Sequence, residues 1–247
     1  MDDFSKAAQL NPAFARAYVE RAYAYNLEHL YDLSLMDCNM AIMLKPEDAE
    51  AYLYKGNTFA GKQNYDKAIE IFDKAIELDP NFVWTYQARA LTYADIEDYP
   101  HAVADFDKVI QLQTTNAWAF ACRGLSKSRQ GDFRNGIKDC QRGILLDTNC
   151  YTAYNNLAWL LATAPQSELR DGQKAVEYAE RACELTSWKN AYSLGTLAAA
   201  DAEIGNFTEA VKWEKKCILS GLPEKEMHQA HKELDLFEQK KPYHADE

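Results

Sequence analysis

The stretch AEAYLYKGNTFAGKQNYDKAIEIFDKAIELDPNF, residues 49–82, sets the pattern for the chain, because its 34-residue spacing recurs on both sides. Pro12, Pro46 and Pro80 stand 34 residues apart, and each follows a leucine and one polar residue. A fixed period of this length is typical of helical hairpins that stack on their neighbours. The sequence therefore predicts units that begin at residues 15, 49, 83 and 117.

Each unit contains two amphipathic segments separated by a short turn. We predict helix A over places 2–14 of the unit and helix B over places 17–30, with Asn64, Asp98 and Asp132 as N-caps of helix B. Two helices of this length cannot bury their apolar faces alone, so neighbouring units must stack. Large rings recur at place 4 and small residues at place 20, namely Tyr18, Tyr52, Tyr86 and Phe120, and Ser34, Ala68, Ala102 and Gly136.

The unit at residues 49–82 resembles the tetratricopeptide repeat (TPR) family, whose repeat has a large aromatic residue, small residues in both helices and a closing proline. This resemblance implies an all-α fold, a right-handed superhelical solenoid of TPR helix-turn-helix repeats. The residues that carry the resemblance are Tyr52, Gly56, Phe59, Tyr65, Ala68, Phe72, Ala75 and Pro80.

The same pattern divides the chain into repeats with irregular ends. Residues 1–14 are predicted as helix B of an incomplete preceding repeat, and residues 224–247 as a C-terminal capping helix and tail, with Glu233 on the polar side of that helix. The inserted loop of TPR 5, residues 163–172, either folds over the edge of the repeat as structure or projects as a secondary contact. We favour the structural use, with Asp171 as the cap of the next helix. TPR 1 to TPR 4 cover 15–48, 49–82, 83–116 and 117–150, TPR 5 covers 151–190, and TPR 6 covers 191–223.

The composition excludes several classes of protein. With 27 basic and 38 acidic residues the net charge is -11, the wrong sign for binding nucleic acid. The longest apolar run, residues 158–162, is too short to cross a membrane, and the first residues are acidic where a signal peptide is basic. Six cysteines without a C-x-x-C pair predict reduced thiols and a cytoplasmic protein, with Cys150 as the exposed thiol. The last two repeats resemble bacterial TPR arrays, which implies a bacterial source.

Charged residues recur inside the repeats with a constant spacing of 16. Arg21 and Asp37, Arg89 and Asp105, and Arg123 and Asp139 occupy places 7 and 23 of their units. Later units replace both members of the pair with apolar or aromatic residues, whereas the second unit has Lys55 and Ile71. We interpret the three pairs as partly buried ion pairs between helix A and helix B.

The TPR resemblance implies that helix A lines an inner groove that receives a peptide or a partner segment. Large aromatic residues bordered by amides suit such a surface, because they bury much area at little entropic cost. Alternatively, Trp84 and Trp118 pack against neighbouring repeats, and Trp159 is expected in the core. The predicted binding residues are Arg16, Tyr23, Asn26, Tyr54, Asn57, Trp84, Gln87, Trp118, Arg129, Asn155, Asn156 and Tyr192.

These observations predict a non-catalytic scaffold for protein–protein interaction that needs no cofactor and no metal. No sequence motif for a nucleophile, a phosphate loop or a zinc site is present, and the five histidines are scattered. Two alternatives remain open. The chain could be the regulatory or substrate-presenting arm of a larger enzyme, or a scaffold that forms homo-oligomers through its N-terminal half-repeat.

Overall fold

The structure is a computed structural model that describes residues 2–245. Within that range it contains fourteen α-helices, one short 3-10 helix and no strand. The chain divides into two compact units, an N-terminal unit that ends at Thr114 and a C-terminal unit that starts at Thr115.

The N-terminal unit contains seven helices, and each repeat contributes an antiparallel pair. These are α1 (Asp2–Leu10), α2 (Ala15–Leu27), α3 (Tyr31–Leu44), α4 (Ala49–Gly61), α5 (Tyr65–Leu78), α6 (Val83–Asp95) and α7 (Tyr99–Leu112). Within each pair the two helices pack on each other, and the pairs are α2 with α3, α4 with α5, and α6 with α7. Each pair also packs on the next pair along the chain.

The C-terminal unit continues the same arrangement and ends with a single helix. Its elements are α8 (Ala117–Arg129), α9 (Phe133–Leu146), α10 (Tyr151–Thr163), a 3-10 helix (Ser167–Leu169), α11 (Gly172–Leu185), α12 (Ala191–Glu203), α13 (Phe207–Leu219) and α14 (Glu224–Glu238). Leu157, Leu160, Leu194, Leu197 and Phe237 form the centre of its core.

Helix B begins and ends at the predicted places in the first four repeats, whereas helix A begins and ends one residue earlier than predicted. The side chains of Asn64, Asp98 and Asp132 accept hydrogen bonds from the backbone at the start of helix B. Helix A of the fourth repeat instead begins after Asn116, whose side chain accepts from the backbone N–H of Ala119 at 2.9 Å. In that repeat the last residue of the preceding repeat therefore caps helix A, whereas helix A of the first three repeats begins without a side-chain cap.

Small residues allow the paired helices to approach closely. A Cβ atom on Gly124 would lie 2.6 Å from the carbonyl oxygen of Gly136, so α8 and α9 meet there by their backbones. In the second repeat a Cβ atom on Gly56 would lie 2.4 Å from the ring of Phe72. Such contacts fix which faces of the paired helices meet.

The predicted ion pairs between helix A and helix B are confirmed. Arg89 donates from Nε and Nη2 to the two carboxylate oxygens of Asp105, at 2.8 and 2.7 Å. Arg21 forms the same bidentate ion pair with Asp37, and Arg123 forms it with Asp139 at 2.8 and 2.6 Å. The three aspartates are buried, which makes each pair part of its repeat's interior.

The inserted loop is tied to the repeats on both sides. Asp171 caps α11 as expected, accepting from the backbone N–H of Lys174 at 3.1 Å. Arg170 donates to Glu203 of α12 and to the carbonyl oxygen of Ala164, both at 2.8 Å. These contacts support the structural role predicted for the loop.

Two expectations about burial are wrong. Cys150, predicted as the exposed thiol, is buried beside Ala117, Ala121 and Ala153, and burial raises its pKa. Glu233, predicted on the polar side of the capping helix, is buried because α14 packs the face that carries Glu233 toward α12 and α13. All six cysteines are free of disulfide bonds. Within residues 2–245 no helix has the length and apolar character needed to span a membrane.

Candidate functional site

The predicted binding residues of the first two repeats contact one another. Arg16 forms ion pairs with Glu20 and with Glu50 of the next repeat. The hydroxyl of Tyr54 donates to Glu50 at 3.1 Å, and its ring lies 5.1 Å from the ring of Tyr23. These side chains form one network across α2 and α4, so several of their hydrogen-bonding groups already have partners within the N-terminal unit.

Asn26 and Asn57 complete the predicted set in these two repeats. Asn26 donates from Nδ2 to the backbone carbonyl of Tyr54 at 3.0 Å, which joins α2 to α4. Asn57 is half-buried on α4.

Trp84 and Trp118, which share one repeat place, have different surroundings. Trp84 is 62% exposed on α6. Trp118 is half-buried and packs on the small apolar cluster of Ala117, Ala121, Cys150 and Ala153, as the packing alternative predicts. Gln87 was predicted to line the groove, but it is only 8% exposed because α6 turns that position inward.

The remaining predicted residues converge in the C-terminal unit. Arg129 of α8, Asn155 and Asn156 of α10 and Tyr192 of α12 line a single cleft of about 320 Å³. The three helices carry these residues to one place because α10 packs between α8 and α12. Trp159 also lines the cleft, and its outer side packs on Tyr243 of the C-terminal tail, with 5.8 Å between the ring centroids.

The residues of the other wall of the cleft were not predicted from the sequence. Glu214 of α13 and Glu226, Gln229 and Glu233 of α14 form most of it. Glu226, Ala230, Glu233 and Phe237 follow the spacing of one helix face, so this stripe could have been found from periodicity. Periodicity alone does not show that this face packs inward with its carboxylates. Leu125, Gly195, Thr196, Cys217, Leu222 and Ala230 complete the lining.

The carboxylates of this wall lie in a poorly solvated environment. Glu214 is 1% exposed, and its burial, together with the neighbouring Glu233, raises its pKa to about 8. Burial also raises the pKa of Glu233 to about 7, although the hydrogen bond from Gln229 at 2.8 Å and the charge of Arg129 act in the opposite direction. Both groups therefore bind protons near neutral pH in the free protein.

Several residues that line the cleft carry a buried oxygen atom without a hydrogen-bond donor. Among the described residues, Oδ1 of Asn155, Oε2 of Glu214 and Oε2 of Glu226 have no partner. Asn155 donates through its own Nδ2 to Asn156, and Asn156 donates to the carbonyl of Ala121, at 3.3 and 3.2 Å. The cleft therefore combines the rings of Trp159 and Tyr192, the hydrogen-bonded amides of Asn155 and Asn156, and these three acceptor oxygens. No cluster of three or more metal-ligating side chains lies within residues 2–245.

Two segments of the chain match models of a known repeat family. Two models described as tetratricopeptide repeat match residues 49–82 and 71–104. No curated protein sequence gives a significant match.

Solved structures extend the likeness to most of the chain. A chain of the APC/C hetero-tetramer Cut9-Hcn1 matches with a TM-score of 0.77 and 16% identity over 96% of this chain, which spans 45% of the length of that chain. PilF of Pseudomonas aeruginosa matches with a TM-score of 0.69 and 16% identity, covering 89% of this chain and 97% of its own.

YrrB, described as a TPR protein with an unusual peptide-binding site, matches with a TM-score of 0.52 and 21% identity, covering 79% and 97% of the two chains. At these identities the structural matches establish the fold, the all-α solenoid of paired helices. Taken with the repeat spacing, the two family models show tetratricopeptide repeats over residues 49–104, and the structural matches extend the likeness in fold to most of the chain.

Proposed function

We propose that the chain is a non-catalytic scaffold that binds an extended segment of a partner protein in the cleft of the C-terminal unit. The observation that carries the proposal is the convergence of Arg129, Asn155, Asn156 and Tyr192 around that cleft. These positions come from three successive inner helices, so a segment lying across them would contact three repeats at once.

The chemistry of the cleft supports a peptide ligand. Trp159 and Tyr192 offer rigid rings that bury area at low entropic cost, and amides such as Asn155 suit the polar groups of an extended backbone. A volume of about 320 Å³ is at the lower end of the range for ligand sites, which fits one or two side chains rather than a folded domain. YrrB, a protein of the same fold, is described as binding peptide, which supports the same use here.

The N-terminal unit offers a second candidate contact on the same chain. Trp84 is exposed on α6, whereas Arg16, Asn26 and Tyr54 already have partners within the unit. We propose Trp84 as a separate contact for a partner on the N-terminal unit. Self-association through the N-terminal half-repeat and a role as the arm of a larger enzyme stay predictions of the sequence.

Selection from a random library of 12-residue peptides, with the full chain as bait, tests the proposal. Tyr192→Ala should weaken binding of the selected peptides about tenfold or more, because truncating an aromatic contact residue costs more than about 1.4 kcal/mol at a binding hot spot. Tyr151→Ala is the matched control, since both tyrosines are nearly half exposed and Tyr151 lies outside the cleft. Failure to select any peptide, or equal losses in the two variants, would overturn the proposal.

A further inference from the structure

The acidic wall of the cleft contains more hydrogen-bond acceptors than the protein satisfies. Oε2 of Glu214, Oε2 of Glu226 and Oδ1 of Asn155 come from three different helices, and within residues 2–245 none of them has a donor. A buried acceptor without a donor costs about 1–3 kcal/mol, and more when it is charged. Glu214 is almost fully buried and lines the cleft, so a donor that enters the cleft is the natural partner for its free oxygen.

The charge of the lining favours a cationic donor. Glu214 on α13 and Glu226 and Glu233 on α14 supply three carboxyl groups, and Arg129 on α8 is the one cation in the lining. Helices α10 and α12 contribute only neutral groups to it. A ligand that carries one positive charge would favour the ionised form of Glu214, which burial and the neighbouring Glu233 disfavour in the free protein.

The arrangement of the acceptors distinguishes between cations. A lysine ammonium carries three donors around one nitrogen, whereas an arginine guanidinium presents a planar fork that suits two oxygens of one carboxylate. Here the free acceptors belong to three separate side chains. The apolar side chains of Leu125, Trp159, Leu222 and Ala230 line the same cleft and suit the four-carbon stem of lysine.

From this geometry we propose that the acidic end of the cleft binds the side-chain ammonium of a lysine in the partner segment, held by Glu214, Glu226 and Asn155. The proposal rests on the proposed function, since it names the residue that a bound segment places in the cleft. Glu233, hydrogen-bonded to Gln229, lines the same cleft.

Proton release provides an independent signature of this site. The pKa values of Glu214 and Glu233 are about 8 and about 7, so both groups are largely or partly protonated near neutral pH before the ligand binds. A cation binds the ionised form, and affinity must therefore rise with pH through this range and level off above it. The other groups that face the cation are Glu226, Arg129, the Cys217 thiol, whose pKa burial raises to about 12, and the Tyr192 hydroxyl.

The test uses pools of 12-residue peptides, acetylated and amidated at their ends, that differ only in one fixed central residue. Pools with lysine, arginine or norleucine at that position are titrated against the full chain by calorimetry. The lysine pool should bind about tenfold or more tightly than the norleucine pool and more tightly than the arginine pool. Its affinity should rise at least tenfold between pH 6 and pH 9, with protons released on binding.

Glu214→Gln should remove the preference for lysine and flatten the pH dependence while binding of the norleucine pool persists. Glu238→Gln, at an exposed residue of α14 outside the cleft lining, is the control with the same change of charge and should behave as the unmodified chain. If the lysine and norleucine pools bind equally well, the lysine proposal is wrong and the peptide-binding function stands. If no pool binds, both proposals fail.

Discussion

The ion pair between Arg89 and Asp105 allows a direct test of how the repeats are held together. Both carboxylate oxygens of Asp105 accept from the guanidinium of Arg89, and the aspartate side chain is 7% exposed. Arg89→Leu therefore leaves a buried carboxylate without its partner. Arg89→Leu combined with Asp105→Tyr removes both charges and copies the apolar and aromatic residues of the fifth repeat, Leu157 and Tyr178.

The expected magnitudes follow from the burial of each group. Stranding a buried charge costs about 3–5 kcal/mol, whereas replacing a whole buried pair with apolar residues of similar volume is close to neutral. Arg89 also pairs with Asp73 and lies 5.8 Å from the ring centroid of Tyr86, but both variants lose these contacts, so they cancel in the comparison. We expect the double variant to recover at least 2 kcal/mol of the loss.

Urea unfolding followed by circular dichroism measures these free energies. Lys55→Leu is the matched control, because Lys55 occupies the same place in the preceding repeat, where the place of the aspartate is taken by Ile71. That substitution should change the free energy of unfolding by less than about 1 kcal/mol. Equal losses in the single and double variants, or an Arg89→Leu loss no larger than that of Lys55→Leu, would refute the ion-pair reasoning.

Two further changes test the C-terminal unit. The pKa of Glu214 is raised from 4.5 to about 8 in the folded chain, so the stability that its proton supplies is complete below pH 4.5 and is lost as pH rises to 8. The change in the free energy of unfolding caused by Glu214→Gln should therefore be more favourable at pH 8.5 than at pH 4.5, by at most roughly 5 kcal/mol. If the substitution shifts the urea midpoint equally at both pH values, this reasoning is wrong. Gly124→Ala should lower the urea midpoint, because the new Cβ would lie 2.6 Å from the carbonyl oxygen of Gly136. The overpacking costs about 1–3 kcal/mol, which outweighs the gain in helix propensity. An unchanged or higher midpoint would show that the two backbones do not constrain each other.

Local features of the fold could be read from the sequence because their causes are local. Asn64 and Asp171 cap helices through hydrogen bonds to residues three positions on, and such bonds depend only on neighbouring residues. The Arg21–Asp37 pair was also predictable, since the repeat itself fixes the distance between places 7 and 23. Periodicity therefore specified the helix pairs and the contact between their two members.

The candidate site was predicted only in part. Arg129 and Tyr192 were identified because the repeat pattern marks the inner face of helix A. Gln87 was expected on that face and is buried, since a place in a repeat does not determine how closely the neighbouring helices cover it. Glu233 was assigned to the polar side of α14 by the usual preference of carboxylates for water.

The 34-residue period and its caps determined the solenoid by themselves, because every unit needs the next one to bury its apolar face. The tertiary structure alone decided that α14 would turn Glu226 and Glu233 toward Glu214 and enclose them with α12 and α13. The α14 helix lies outside the repeating pattern, so its orientation depends on how its whole surface fits the final pair. That fit buries carboxylates for which the amino-acid sequence assigns no partner.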